Sequence, residues 1–86
     1  MSKTRSAIAH LTPRGVRYTA RHEAKAEGWA VYRGPTTFDP ARVGRVVQLT
    51  NGLYAPIRRE GPLEVSHTGT FRTMAEAINW IAEDER

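Results

Sequence analysis

The chain has 86 residues, thirteen basic and nine acidic, a formal charge of +4 and no cysteine. That length fits one domain with a modest core, and the missing cysteine excludes disulfides and thiolate zinc sites. No run approaches the ~18–20 apolar residues of a membrane span, and the basic N-terminus lacks the apolar centre of a signal peptide, so a soluble, cytoplasmic protein with no membrane partner is expected.

The basic residues are eleven Arg and two Lys. Arginine suits phosphate recognition through its planar fork and permanent charge. The competing reading is compositional, since Arg together with eleven Ala is what a GC-rich genome gives any protein. Charge is unevenly placed. Residues 1–72 carry twelve bases and five acids, and residues 73–86 carry one base and four acids.

Residues 1–15 show no stable periodicity and are broken by Pro13-Arg14-Gly15. They read as a flexible basic arm, leaving residues 16–86 as the single domain. Val16, Tyr18 and Ala20 alternate with polar neighbours, and Trp29–Arg33 is rich in aromatic and β-branched residues. Two strands joined by a loop or helical turn fit residues 16–33. A helix over residues 17–27 fits as well. Residues 34–42 form a loop with two prolines, and Phe38 is a candidate peg returning to the core.

The clearest strand signal is residues 43–59, two apolar runs separated by Asn51-Gly52. Asn-Gly favours a two-residue type I′ hairpin turn. That turn pairs Val46 with Ile57, Val47 with Pro56 and Arg45 with Arg58. Leu53, Ala55, Ile57 and Val46 then face the helix. Tyr54, Pro56, Arg45 and Arg58 share the other face, where the Arg–Arg pair is unfavourable unless an anion bridges it. Pro56 lacks an amide, which predicts an edge strand. After a Gly61-Pro62 turn, Leu63–Val65 is a short apolar segment, and Phe71 is a core candidate.

Residues 69–85 predict the helix. Thr73 and Glu76 form a T-x-x-E capping box, and Met74, Ala77, Ile78 and Ile81 make one apolar stripe. Trp80 falls on the flank, where it either wraps a sheet edge or anchors a partner. Glu83, Asp84 and Glu85 lie at the unfavourable end of the macrodipole.

His10, His22 and His67 lack metal spacing, and there is no phosphate loop, nucleophile elbow or carboxylate pocket. The expectation is a non-enzymatic protein without a cofactor.

Gly69-Thr70-Phe71, Thr73 and Glu76-Ala77, following a hairpin, resemble the third strand and helix of AP2-type DNA-binding domains, and of the similarly built arm-binding domains of phage integrases. The resemblance is close over residues 69–77 and covers residues 43–82 in outline. It implies a sheet with one helix behind it and DNA on the open face. Glu64–His67 departs from the family, standing where a regular strand should run. The whole chain, small and rich in Arg and Ala, also resembles accessory proteins of actinobacterial phages, which implies the cytoplasm of an infected host.

The expected fold is α+β: a small antiparallel meander of three or four strands with one C-terminal helix packed on one face. The expected function is nucleic-acid binding through Arg45, Arg58, Arg59 and Tyr54, with DNA as the partner. The alternative is a protein-interaction module, a host-protein inhibitor or a homodimer, using Trp80 and the edge strand.

Overall fold

The computed structural model describes residues 7–23 and 28–83. Six strands follow one another in one antiparallel sheet: β1 (Ala7–Leu11), β2 (Arg17–Glu23), β3 (Gly28–Arg33), β4 (Arg42–Gln48), β5 (Tyr54–Glu60) and β6 (Leu63–Ser66). Their spatial order equals their sequence order. Helix α1 (Met74–Glu83) ends the described chain and packs on one face. The α+β meander is as expected, but it has six strands rather than three or four. The two extra strands are the outermost ones. AIAHL and LEVS carry weak patterns because an edge strand is only partly covered on either face.

The ambiguous stretch resolves into strands. Along β2, Tyr18 and Ala20 are buried and their neighbours are not. That period of two belongs to a half-covered strand. In β3, Ala30, Val31 and Tyr32 are all buried, Val31 in the core under the helix and Ala30 and Tyr32 among the side chains of the opposite face. Residues 24–27, the middle of the rival helix, lie outside the described residues. Of the stretch read as an arm, residues 1–6 also lie outside them, while Ala7–Leu11 pair with β2.

Two hairpins close with the same three-residue turn. In each, the first flanking residue's N–H donates to the carbonyl of the last (Thr12 to Val16, 2.9 Å; Leu49 to Leu53, 2.8 Å). Its carbonyl accepts from a glycine amide (Gly15, 2.8 Å; Gly52, 2.9 Å). Gly15 and Gly52 have φ of 85° and 86°. This is a type I turn followed by a left-handed glycine bulge, which adds one residue to the loop. The Asn51 side chain accepts from Leu53 N–H at 3.0 Å, holding the turn from inside.

That extra residue corrects the expected register. β4 and β5 pair as Gln48–Tyr54, Val46–Pro56, Arg45–Ile57 and Gly44–Arg58. A slip of one residue turns every β5 side chain to the opposite face. Tyr54, Pro56 and Arg58 lie on the helix side, and Ala55, Ile57 and Arg59 on the open side. Arg45 and Arg58 are therefore not opposite each other.

Nor is β5 an edge, because β6 pairs along its outer side from Ile57 to Glu60. Pro56 is tolerated there because β6 ends at Ser66, and beyond it the Pro56 carbonyl accepts from His67 N–H (3.2 Å). Two residues earlier on β5, Tyr54 and Phe71 exchange backbone hydrogen bonds at 2.8 and 2.9 Å. Of Glu64–His67, where the resemblance lacked a regular strand, the first three residues belong to β6.

Thr73 caps α1 as expected. Its hydroxyl oxygen accepts from Glu76 N–H (3.2 Å) and stands 3.3 Å from a Glu76 carboxylate oxygen. Ala77, Ile78 and Ile81 are wholly buried against Tyr18, Ala20, Val31 and Val46, and Met74 packs on the edge of that core with Phe71. Phe38 is not a core peg. It is 76% exposed, and its carbonyl accepts from Ala41 in a 3-10 turn.

Candidate functional site

The register decides which side chains share the open face. Directly paired residues point the same way, so one row across the sheet is Ala7, Arg21, Ala30, Arg45, Ile57 and Ser66. A neighbouring row holds Thr19, Tyr32 and Arg42. Arg42 is there because the ladder shifts between Val31 and Tyr32: Val31 pairs with Gly44, and Tyr32 with Arg42. The extra residue, Val43, packs on the core. Such bulges re-aim the side chains that follow. Arg17 joins the face opposite Leu11, and Arg59 opposite Glu64.

The open face thus carries Arg17, Arg21, Arg42, Arg45 and Arg59 against Glu23 and Glu64. Ala30 is fully buried between Arg21 and Arg45 in its row. Long aliphatic stems can cover such a small residue while their charged ends stay in water. With strands about 4.8 Å apart, the two backbone positions are separated by about 10 Å. Arg45 donates to Glu64 at 3.2 Å, and Arg21 Nε lies 4.0 Å from Glu23. Arg17, Arg42 and Arg59 form no ion pair among the described residues. Arg42, Arg59, Leu63 and Glu64 line an open basin of about 540 Å³ with the Gly61-Pro62 turn.

Tyr32 is buried, and its hydroxyl donates to Glu23 at 2.8 Å. Burial raises its pKa above 10, and the hydrogen bond and charge of Glu23 add to that effect. The charges of Arg42 and Arg21 oppose it. The phenol therefore stays neutral and anchors Glu23.

The opposite face holds the other expected contacts. The guanidinium carbon of Arg58 sits 3.9 Å from the Trp80 ring centroid, and Nη2 donates to the Trp80 carbonyl at 2.7 Å. Nη1 lies 3.5 Å from Glu60, and the side chain is only 13% exposed. Arg58 ties β5 to the last turn of α1, where a cation offsets the negative end of the macrodipole. Trp80 also meets the ring of His67, centroids 5.0 Å apart, so the chain itself contacts this ring in two places. Tyr54 packs against the core beside Phe71.

Of the four sheet-face contacts expected from sequence, the structure therefore places Arg45 and Arg59 on the open face and moves Arg58 and Tyr54 behind it. Arg17, Arg21 and Arg42 join Arg45 and Arg59 on the open face without having been expected there. The first two were legible, because if Val16, Tyr18 and Ala20 face the core, Arg17 and Arg21 face away from it. Arg42 was hidden by the bulge. The three histidines stay apart. His10 Nε2 is 2.7 Å from the Asn79 side-chain oxygen, His22 meets Trp29, and His67 Nδ1 accepts from Gly69 N–H at 2.9 Å. Among the described residues no three His, Asp or Glu side chains gather to hold a metal ion, and no helix is long and apolar enough to cross a membrane.

Comparison with protein-family models, with curated proteins and with solved structures finds no match to this chain.

Proposed function

We propose that this protein is a nucleic-acid-binding module, not a catalyst, which grips phosphates with the open face of its sheet. One observation carries the reading: five arginines from three strands share the face that the helix leaves uncovered, against two carboxylates. The contacts are Arg17, Arg21, Arg42, Arg45 and Arg59. Guanidinium groups donate forked hydrogen bonds to phosphate oxygens, and their binding releases condensed counterions.

The aromatic ring on this face, Tyr32, is buried with its hydroxyl engaged, so it is not offered to bases as a stacking platform. Phosphate contacts position a protein without reading sequence, and binding that tolerates many sequences follows.

Fluorescence anisotropy with labelled DNA at two salt concentrations tests this. Five phosphate contacts give a slope of log affinity against log salt of about −4.5 on duplex DNA. Affinity then falls about 500-fold between about 50 and 200 mM salt. Replacing Arg42 and Arg59 together by Ser reduces the slope by about two and leaves the fold intact. Undetectable binding at low salt, or an unchanged slope in the double variant, overturns the assignment.

A further inference from the structure

The two edges of the sheet are built differently. The β6 edge is four residues long, follows Pro62, and carries Glu64 with half its side chain exposed. Short length and charge are the usual protections of a sheet edge. The β1 edge is one residue longer and carries no charge. Ala7–Leu11 contains no charged residue, no proline and no bulge, in a chain where 26% of residues are charged. Ile8 is 38% and Leu11 65% exposed.

The hydrogen-bond pattern shows which groups this edge offers. Thr12 N–H donates to Val16 across the β1–β2 turn, so Thr12 points its backbone toward β2. The Arg17 carbonyl accepts from Gly34, away from β1. Antiparallel ladders alternate between bonded and non-bonded pairs. His10 and Ile8 therefore bond to β2, while the amides and carbonyls of Ala7, Ala9 and Leu11 point out of the sheet.

We infer that β1 pairs antiparallel with β1 of a second copy of this chain, about a two-fold axis at Ala9. In this register Ala9 meets Ala9, and Ala7 meets Leu11, of the facing strand. All three outward amides and carbonyls of each copy are used, making six reciprocal hydrogen bonds. Shifting the strands leaves some of them unpaired. A strand that is complementary to itself and uncharged makes the second copy its natural occupant.

Among the strands of the described residues, repulsion does not prevent it. The nearest arginine-bearing strands, β2 of each copy, lie three strand spacings apart, about 14 Å. That exceeds the screening length of about 8 Å at physiological salt. Exposed Ile8 gains the facing His10 ring as a neighbour on the helix side. The axis is normal to the sheet, so both arginine faces look the same way. The pairing is independent of the nucleic-acid reading, and either can fail alone.

Sedimentation equilibrium from micromolar to millimolar protein tests it. The expected mass rises with concentration from the 9.7 kDa chain toward twice that value. Ala9→Pro removes an outward amide that makes no bond to β2, and Ala9→Lys sets like charges opposite each other at the axis. Both variants are expected to stay at monomer mass, with wild-type circular dichroism. A wild-type chain that remains monomeric throughout overturns the inference. So does persistence of the dimer in Ala9→Lys, which decides the matter should Ala9→Pro fail to fold.

Discussion

Replacing Arg58 with Ala separates the observed register from the one read off the turn. The change removes a charged hydrogen bond to the Trp80 carbonyl at 2.7 Å and a guanidinium stacked 3.9 Å from the Trp80 ring centroid. A charged hydrogen bond contributes roughly 1.5–3 kcal/mol. The stacking contributes about 1 kcal/mol for a group as covered as this one. Because the two share one side chain, their joint loss is set at about 3 kcal/mol. For a domain of this size that lowers the melting temperature by about 12–24 °C. It leaves the protein folded at room temperature if its total stability lies in the upper part of the usual range, about 4–13 kcal/mol.

Thermal and urea unfolding followed by circular dichroism measure the loss. Anisotropy with labelled DNA, done well below the lowered melting point, measures the second readout. Arg58 lies behind the sheet, beyond the reach of phosphates on the open face, so affinity is expected to stay within about threefold at physiological screening. Arg58→Lys keeps the charge but not the fork, and recovers less than half of the stability. Should Arg58→Ala melt like the wild type while losing DNA, the side chain would belong on the open face and the Gly44–Arg58 pairing would be wrong.

Two other expectations follow from particular residues. Gly52→Ala places a side chain at φ 86° in the β4–β5 turn and costs about 1–2 kcal/mol in urea unfolding; an unchanged midpoint would mean that the turn does not need its glycine. The Tyr32 phenol titrates above 10, chiefly through burial and then through Glu23. Its folded pKa exceeds the unfolded one, so it contributes stability that is complete below pH of about 10 and is lost as pH rises through the folded value. Glu23→Gln removes the charge and moves the phenolate transition, followed by ultraviolet absorbance, toward lower pH; an unmoved transition would show that Glu23 does not act on the phenol.

Helix α1 was legible residue by residue because its signals are local. A cap three residues from its glutamate and a stripe at period 3.6 are satisfied within a few turns, whatever the sheet does. The same holds for the hairpin at Asn51-Gly52, whose existence depends on a glycine able to take positive φ. Alternation in β2 was visible too, but a helix over residues 17–27 fitted the same stretch, so the outward direction of Arg17 and Arg21 depended on which of the two formed.

What lies on each face of β5 was not local. The choice between a two-residue and a three-residue turn moves the pairing by one position, and a strand's period of two converts that step into an exchange of faces. Sequence patterning gave no warning, because Tyr54, Pro56 and Arg58 alternate with Ala55, Ile57 and Arg59 and either set can cover a core. Tertiary contacts decided it: Trp80 and the α1 carbonyl end accept Arg58, and Phe71 pairs with Tyr54. The bulge that turns Arg42 outward and the pairing of the weakly patterned β1 and β6 depend in the same way on strands that are neighbours only in the folded sheet. The sequence by itself determined the helix, the existence of a hairpin at Asn51-Gly52 and the number of arginines. Only the tertiary structure decided which arginines stand together, because a face is a property of paired strands and not of one strand alone.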